Sequence, residues 1–291
     1  MLERQDSAGS VTFVNGEETP PDAAVISARD RGLTLADGLF ETLRVHNGRA
    51  FQGGAHLARM RRGLEAMSIA VPRDLERHLT DALRAYGDRH GSARLTVTRG
   101  PGTGGLAVRG EMRPTVIMTV GPMPAFPAAT YEQGLSAFVP AGRRNPRAVT
   151  AGIKTLSYTD AVVALLAAVQ KGFDEALLLD TDDHLSEASA SNLFVWTGST
   201  LVTPPISCGA LPGITRATVL RLAREAGIEA VERTCTLADL ATAEEAFLTS
   251  SLRGLAPLAR VDDRAVGNGR PGTLTRRLAS MHEALVEEEC R

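Results

Sequence analysis

The sequence predicts a mixed α/β fold in which strands and helices alternate along the chain. Runs rich in β-branched residues, such as 115–121 (TVIMTVG), are interleaved with segments whose apolar residues recur at helical spacing, such as 56–69 (HLARMRRGLEAMSI). Hydrophobic residues make up 43% of the 291 positions, which is enough for the cores of two domains or of one large one. The predicted fold class is therefore α/β with mixed α+β character.

Two tight turns mark the strands of a small N-terminal α/β domain, predicted over residues 1–120. The Asn-Gly pairs at 15–16 and 47–48 each lie between two β-rich runs, and this pair suits the two-residue turn of a hairpin. A helix over 56–69 presents one apolar stripe, made of Leu57, Met60, Leu64 and Met67. Two further strands flank the glycine-rich loop 100–114 (GPGTGGLAVRGEMRP), which is too rich in glycine to be regular.

A proline-punctuated stretch without periodicity, 121–129 (GPMPAFPAA), is the predicted linker to a larger C-terminal domain, residues 130–291. The predicted elements of this domain are helices within 159–172 and 211–228, strands within 175–196 separated by an Asp-rich turn, and a strand within 245–261 that runs into a polar turn. The interleaving of strands and helices continues to the end of the chain.

The charge balance excludes several classes of partner. The chain has 32 basic and 34 acidic residues, a net charge of −2, and its arginines are scattered among acids, so we expect no nucleic-acid and no membrane-surface partner. No apolar run approaches the roughly 20 residues that cross a bilayer. The first ten residues (MLERQDSAGS) lack the apolar core of a signal peptide. We therefore expect a cytoplasmic protein.

The cysteines predict neither a disulfide framework nor a metal site. Cys208, Cys235 and Cys290 are odd in number and widely spaced, without a CxxC pair. The histidines are dispersed as well. We therefore expect reduced thiols and no structural zinc site.

Lysine is almost absent from this chain, since only residues 154 and 171 of its 32 basic residues are lysines. Arginine serves most surface roles as well as lysine does, so a retained lysine points to chemistry that needs an amine, such as Schiff-base formation. Lys171 precedes Gly172 at the end of a predicted helix, where a cation complements the helix C-terminus. Lys154 has no such role, and the alternative is a solvated side chain in a chain shaped by codon bias.

Three further features would suit a phosphorylated cofactor. Residues 213–215 (GIT) place a glycine turn at a helix start, and 249–251 (TSS) end a strand with three hydroxyls; both are candidate phosphate cradles, or plain turn chemistry. Glu187 stands among small residues in LSEASASNLF, so it is either a buried acid that needs a partner or an exposed turn acid. An amine, a phosphate cradle and an acid for a ring nitrogen are the parts that pyridoxal 5′-phosphate (PLP) requires.

The order of these motifs resembles one enzyme family over essentially the full chain. DRGLTLADGLFETLRV, HLARM, GIKTLSY, DEALLLD, LSEASASNLF, TPP…LPGITR and FLTSS follow one another as in the class IV, fold-type IV PLP enzymes. These comprise branched-chain and D-amino acid aminotransferases and 4-amino-4-deoxychorismate lyases. The resemblance implies a small N-terminal α/β domain, a larger C-terminal PLP-binding domain with cofactor in the cleft, a small-molecule amino substrate and a homodimer that completes the substrate pocket.

The same resemblance implies roles for individual residues. Lys154 matches the Schiff-base lysine and proton shuttle, and Glu187 matches the acid that keeps the pyridine nitrogen protonated. Arg59 matches the arginine that grips the phosphate, and Tyr158 a tyrosine near the cofactor O3′. The other implied cofactor-binding residues are Ser191, Asn192, Leu211, Gly213, Ile214, Thr215, Ser250 and Ser251.

Which reaction follows is an open choice between two enzymes. Thr96 stands where branched-chain enzymes carry their substrate-carboxylate arginine, and RRNP at 143–146 is lyase-like, so we favour 4-amino-4-deoxychorismate lyase. Serines at 157 and 250, where lyases often carry asparagine, keep a transaminase of a small amino acid or amine as the alternative. A non-enzymatic relative that binds a phosphate ligand is a third reading. The candidate substrate-binding residues are Thr96, Arg94, Arg99, Arg109 and Arg253.

Overall fold

The structure is a computed structural model that describes residues 9–102 and 104–291, so most of the segment expected to lack a signal peptide lies outside it. The contacts divide the chain into two compact units. The first unit extends to Pro124 and includes Ile153–Ser157 and Val286–Arg291; the second contains Ala125–Gly152 and Tyr158–Leu285. This division differs from the predicted domains, because the short segment that carries Lys154 and the C-terminal residues belong to the first unit.

The first unit is a six-stranded antiparallel sheet with helices. Its strands lie in the order β2-β1-β6-β5-β3-β4, and both predicted hairpins are present. Asn15, Gly16, Asn47 and Gly48 all have positive φ, as the tight hairpin turn requires. The elements are β1 (Val11–Val14), β2 (Glu17–Glu18), α1 (Arg31–Leu35), β3 (Gly38–His46), β4 (Arg49–Ala50), α2 (Gly53–Ala66), α3 (Leu75–Tyr86), β5 (Gly91–Thr98) and β6 (Thr115–Gly121).

The two faces of this sheet differ in character. One face forms the core: Leu43, Leu95 and Met118 are fully buried in one cluster with the helix residues Leu57 and Leu64. Successive residues of a strand point to opposite faces. The other face therefore carries the side chains of Phe40, Arg94 and Thr96, and Phe40 pairs directly with Thr96 across β3 and β5.

The segment Ile153–Ser157 adds an extended piece beside β3. The Phe40 amide donates to the Lys154 carbonyl at 3.1 Å, and Thr155 forms an isolated bridge with Leu39. The Leu156 amide donates to the Gly38 carbonyl at 2.9 Å. These bonds fix the backbone from the Lys154 carbonyl to Leu156.

The second unit is built around a ten-stranded sheet. Its strands and helices follow one another along the chain, and the region 245–261 forms two strands instead of the predicted strand and polar turn. The elements are α4 (Ala129–Glu132), β7 (Leu135–Phe138), β8 (Arg143–Arg144), α5 (Thr159–Gln170), β9 (Glu175–Asp180), β10 (Leu185–Ala188), β11 (Asn192–Trp196), β12 (Thr200–Thr203), a 3-10 turn (Ile206–Cys208), α6 (Ile214–Glu225), β13 (Glu229–Glu232), α7 (Leu237–Ala241), β14 (Glu245–Ser250), β15 (Gly254–Val261), β16 (Arg264–Ala265) and α8 (Thr273–Glu289), whose last residues belong to the first unit.

Part of this sheet closes into a ring. The strand β10 pairs with both β9 and β11, so β9, β7, β15, β14, β11 and β10 form a closed circuit. Leu193 and Leu248 belong to the cluster on one face of the ring, whereas Phe194 and Phe247 stack at 5.0 Å on the other, where they join Val219 of α6. The β10–β11 closure is made by the pair Glu187 and Asn192. Within the described residues, no helix is long and apolar enough to span a membrane.

Candidate active site

Lys154 and Arg94 lie over the same aromatic ring in the first unit. The Lys154 Nζ is 4.4 Å and the Arg94 guanidinium carbon 3.9 Å from the centre of the Phe40 ring. The separation between the two groups is therefore at most the sum of these distances, 8.3 Å. A cation over an aromatic face is held by the quadrupole of the ring. Phe40 thus places an amine and a guanidinium close together on the sheet face that also carries Thr96.

Arg59 belongs to a buried ionic cluster, which we call the Glu41 cluster: Glu41, His56 and Arg59. The Arg59 Nε and Nη2 each donate to one Glu41 carboxylate oxygen at 2.7 Å, and the His56 Nδ1 lies 2.7 Å from Glu41 Oε2. The three side chains are between 1% and 9% exposed. His56 and Arg59 face the same side of α2 because they are one turn apart.

The charge state of Glu41 follows from these contacts. Burial alone would raise the pKa of the Glu41 carboxyl, but the hydrogen bonds and charges of Arg59 and His56 outweigh it and hold that pKa below its usual range. Glu41 is therefore an anion that accepts two parallel hydrogen bonds from one edge of the Arg59 guanidinium. Such a bidentate ion pair fixes the plane of the guanidinium.

Two of the candidate substrate-binding arginines in the first unit lie elsewhere. Arg99 donates to both oxygens of Asp37, at 2.7 and 3.1 Å, and to the carbonyls of Met67 and Ser68. Arg99 therefore links the segment at Asp37 to the end of α2 at Met67 and Ser68. Arg109 is exposed on the glycine-rich loop. Among the candidates of this unit, the Phe40 face carries Arg94 and Thr96.

Glu187 is a buried acid of the second unit. Its side chain is about a tenth exposed, its Oε1 lies 3.1 Å from the Arg144 Nη2, and its Oε2 accepts from the Leu211 amide at 2.8 Å. Arg144 is held in turn because its Nε donates to the Gly209 carbonyl at 3.1 Å. A carboxylate with an arginine and an amide N–H as partners is stabilised in its ionised form.

The start of α6 has the features of a phosphate cradle. Gly213 is the N-cap residue and supplies no side-chain hydrogen bond to the helix. The first N–H groups of an α-helix have no partner within the helix and favour an anion. Gly213 lies against Asn192, whose Nδ2 donates to the Leu211 carbonyl at 2.9 Å. Half-buried Ile214 and buried Thr215 follow directly in the first turn of the helix.

One buried hydroxyl lies in the same row of residues. Across the sheet, Glu187 pairs with Asn192, and Asn192 with Thr249, so their side chains share one face. The Thr249 Oγ1 is buried and has no hydrogen-bond partner among the described residues. A buried polar atom without a partner is uncommon and indicates an interaction with a group outside the chain.

Two other predicted residues of the second unit, Ser191 and Ser250, are chain neighbours of Asn192 and Thr249 in this row. Ser250 Oγ accepts from the Arg253 amide at 3.3 Å, and Arg253 lies 3.5 Å from Glu175. Ser191 is buried and its carbonyl accepts from the Ala188 amide. Tyr158 is the N-cap residue of α5, and Ser251 is half-buried in the turn after β14.

Sequence reasoning did not identify Glu41, His56 or Arg144 as site residues. A signal was present for the first two: an acid in the middle of an otherwise apolar strand, GLFETLRV, and a histidine and an arginine three positions apart on the following helix. A buried acid in a strand needs a basic partner, and the HxxR spacing offers two on one helix face. Arg144 carries no such local signal, because its partner Glu187 is far along the chain.

Comparison with known proteins places the chain among one group of enzymes. The family model described as amino-transferase class IV matches residues 38–261. A protein of Methanocaldococcus jannaschii that carries the name "Putative branched-chain-amino-acid aminotransferase" is 35% identical over 91% of this chain and 93% of its own length.

Two solved structures are similar over almost the whole chain. The 4-amino-4-deoxychorismate lyase from Pseudomonas aeruginosa is 35% identical, with a TM-score of 0.84, over 93% of this chain and 97% of its own. The branched-chain amino acid aminotransferase from Escherichia coli is 26% identical, with a TM-score of 0.91, over 97% of this chain and 96% of its own. The relatives therefore include both an elimination and an amino-transfer enzyme.

Proposed function

The chain belongs to the class IV aminotransferase family, and from that premise we propose that it eliminates pyruvate from 4-amino-4-deoxychorismate to leave 4-aminobenzoate. It is a PLP-dependent enzyme, as this family is, and a lysine that holds PLP as a Schiff base is standard for the family. The finer statement, which names the reaction and the substrate, is the proposal.

The residues present fit PLP. An amine is available at Lys154, and Glu187 offers a buried carboxylate that suits a protonated pyridine nitrogen. The first turn of α6 and the unpartnered Thr249 hydroxyl offer hydrogen-bond donors to a phosphate. We propose that Lys154, Glu187, Arg59 and the α6 start hold the cofactor.

Different residues of the chain would transfer the proton and hold the cofactor in its reactive protonation state. Bound PLP supplies an electron-withdrawing ring that stabilises negative charge on the substrate carbon next to the nitrogen. Lys154 acts as the base that takes the proton from the ring carbon bearing the substrate amine. Glu187 keeps a proton at the pyridine nitrogen, and Arg144 keeps Glu187 ionised and oriented.

The proposed elimination balances without a co-substrate. After Lys154 removes the proton, the neighbouring carbon–oxygen bond breaks, and its electron pair leaves on the oxygen of pyruvate enolate. The six-membered ring becomes aromatic, and the proton removed from it is returned to the enol carbon, which gives pyruvate. No oxidant, reductant or keto acid is consumed.

The observation that carries this proposal is the placement of Arg94 and Lys154 on the Phe40 ring. The substrate has its amine and a carboxylate at opposite ends of one six-membered ring, so its enzyme needs a base and a carboxylate-binding cation near each other, and Lys154 and Arg94 lie within 8.3 Å of each other. Arginine binds a carboxylate through paired hydrogen bonds. Arg94 would bind the distant carboxylate while Lys154 acts at the carbon that carries the amine. The 35% identity to the Pseudomonas aeruginosa lyase also supports this reaction.

The test is to incubate the PLP-loaded protein with 4-amino-4-deoxychorismate and no keto acid, and to assay 4-aminobenzoate and pyruvate together. We expect equimolar release of both over many turnovers. Absence of both products, in protein that retains its bound cofactor, would contradict the proposal.

Transamination of a small amino acid or amine is the second candidate. The 35% identity to the Methanocaldococcus jannaschii protein supports it, as do the serines at 157 and 250. In that case bound PLP would carry the amino group from an amino donor to a keto acid, and Lys154 would move the proton at the substrate carbon. To separate the two candidates, the protein is incubated with a panel of D- and L-amino acids without keto acid, and the absorbance of the bound cofactor is followed. A lasting change in that absorbance would favour transamination.

We also propose a homodimer, which the family resemblance implies. The helix α5 supports association because it exposes an apolar stripe: Val162, Val163, Leu166 and Val169 are each between 51% and 59% exposed. An exposed stripe of this kind is typical of a surface that is covered in an assembly.

The substitution Gly213→Ala should weaken PLP binding roughly tenfold, because one cradle contact is lost. Gly213 has φ −65° and ψ 138°, which alanine adopts freely, so the effect comes from contact alone. A Cβ at this position would clash with Asn192 Oδ1, so the Asn192 side chain must move, and its Nδ2 can no longer donate to the Leu211 carbonyl. The dissociation constant is measured from the absorbance of the bound cofactor. Gly142→Ala is the control, since a Cβ there meets nothing within 4 Å, and equal affinity of the two variants would exclude Gly213 from the cradle.

The substitution Arg94→Ala should raise KM for 4-amino-4-deoxychorismate by about 10- to 100-fold, the effect of losing a hydrogen-bonded charge partner. Binding of PLP should not change, because Arg94 is assigned to the substrate. The matched control is Arg89→Ala, whose guanidinium also lies 3.9 Å from a ring centre, that of Tyr86. A KM equal to that of the unmodified enzyme would assign the carboxylate to another residue.

A further inference from the structure

Three metal-binding side chains converge in the second unit outside the residues assigned to PLP. Asp180, His184 and Cys208 each offer one ligand atom, and these atoms all lie within 4.8 Å of one another. Asp180 and Cys208 are 2% exposed, and the His184 side chain is about one-third exposed. Two of the three ligand residues are therefore buried, and the third is partly open to solvent.

The hairpin between β9 and β10 is shaped around the Asp180 carboxylate. Asp180 Oδ1 accepts from the amides of Asp182 and His184, both at 2.9 Å, and Asp183 adopts a left-handed conformation with φ 63°. The other carboxylate oxygen, Oδ2, lies 3.3 Å from the His184 Nδ1. Two of the three ligand groups are thus oriented by the backbone of one tight turn.

Cys208 approaches this hairpin from the separate 3-10 turn Ile206–Cys208. Its ligand atom lies within 4.8 Å of those of Asp180 and His184. Asp182 and Asp183 are exposed in the same hairpin, and the two arginines of β8 are each paired with an acid, Arg143 with Asp183 at 2.7 Å and Arg144 with Glu187 at 3.1 Å. The site therefore favours a cation.

We propose that Asp180, His184 and Cys208 form a zinc-binding site. Zinc binds thiolate, imidazole and carboxylate together, whereas calcium and magnesium prefer oxygen ligands alone. Zinc–ligand bonds of this kind place neighbouring ligand atoms about 3.5 Å apart. The Asp180 and His184 ligand atoms are already at about that separation, and the Cys208 sulfur, within 4.8 Å of both, has to move inward. On binding, the thiol releases its proton to solvent, and water completes the tetrahedron.

The site lies beside the structure that supports Glu187. The hairpin of Asp180 and His184 leads into β10, which carries Glu187, and the Cys208 turn leads to Leu211, whose amide donates to Glu187 at 2.8 Å. A zinc ion would tie these two segments together. The sequence predicts no zinc site because Cys208 is far from Asp180 and His184 along the chain; the fold brings them together.

The test uses the PLP-loaded protein with zinc alone, and cobalt(II) as a spectroscopic substitute. After equilibration with zinc and removal of the excess, we expect about one zinc ion per chain by elemental analysis. Cobalt(II) should give the intense visible bands of a tetrahedral site, which lie at longer wavelengths than the absorbance of bound PLP. Both measurements are made without substrate, so their outcome is independent of the reaction that the enzyme catalyses.

Matched variants separate the site from surface binding. Cys208→Ser and His184→Ala should each weaken zinc binding by at least tenfold and abolish the tetrahedral cobalt bands. Cys235→Ser and Cys290→Ser, which alter the other two buried cysteines, should leave both signals unchanged. A zinc content well below one per chain in the unmodified protein, or equal binding by Cys208→Ser, would overturn the proposal.

Discussion

Replacing Lys154 by alanine should abolish turnover, with a loss in kcat of roughly 10⁴-fold or more, because no other described side chain is assigned to move the proton. The variant loses both the amine that holds PLP and the base that acts at the substrate carbon. The measurement is the release of 4-aminobenzoate and pyruvate. In addition, borohydride reduction of the unmodified PLP-loaded enzyme should leave the cofactor covalently attached to Lys154, which mass spectrometry detects.

The other lysine provides the control. Lys171 is the C-cap residue of α5, with its Nζ 5.1 Å from the centre of the Phe138 ring, and Gly172 follows with positive φ. That position matches the helix-end role expected from the sequence. Lys171→Ala should retain full activity. Substantial turnover by Lys154→Ala, or loss of turnover by Lys171→Ala, would remove Lys154 from its assigned role.

The local parts of the fold could be predicted from the sequence. The hairpins at Asn15–Gly16 and Asn47–Gly48 depend on two residues that tolerate positive φ, so the signal is contained in the turn. The stripe of α2 is likewise a local pattern: Leu57, Met60 and Leu64 are buried as expected. The helix α3 was not predicted, although Leu75 and Leu79 are spaced for a helical stripe and are buried.

The closed ring and the division into units could not be predicted. Ring closure depends on which strands β10 meets, and β9 and β11 look alike as short apolar runs. Residues 153–157 join the first unit because their backbone groups bond to Gly38, Leu39 and Phe40. Every residue type except proline can form backbone hydrogen bonds of this kind, so the sequence does not reveal them. A domain boundary placed by composition therefore does not detect such a segment.

The candidate site shows the same distinction. Composition and motif order single out Lys154 and Glu187 as candidates, whereas Arg144 and Glu41 pair with residues that only the fold brings close. The candidate phosphate-binding positions likewise gain a common context only in the fold, where the sheet pairs Asn192 with Thr249. Charged residues that orient other site residues can therefore be recognised only once the fold shows which residues they pair with.

The substitution Glu41→Gln should destabilise the first unit by about 3–5 kcal/mol, the usual effect of breaking a buried ion pair from one side. The amide cannot accept from both Arg59 nitrogens as the carboxylate does at 2.7 Å, and His56 loses its charged partner. The free energy of unfolding is measured by chemical denaturation. Glu76→Gln is the control, because Glu76 pairs with Arg61 but its side chain is 58% exposed, and an exposed pair contributes little.

The pH dependence of this effect tests its electrostatic origin. Since the folded-state pKa of Glu41 lies below the unfolded value of about 4.3, its contribution to stability is fully present above that unfolded value and is lost as the pH falls through the folded pKa. The difference in unfolding free energy between the unmodified protein and Glu41→Gln should therefore shrink on acidification below about pH 4.3. A difference that stayed constant from neutral to acid pH would show that the loss comes from packing. PLP affinity should fall in Glu41→Gln as well, because Arg59 loses the carboxylate that fixes the plane of its guanidinium.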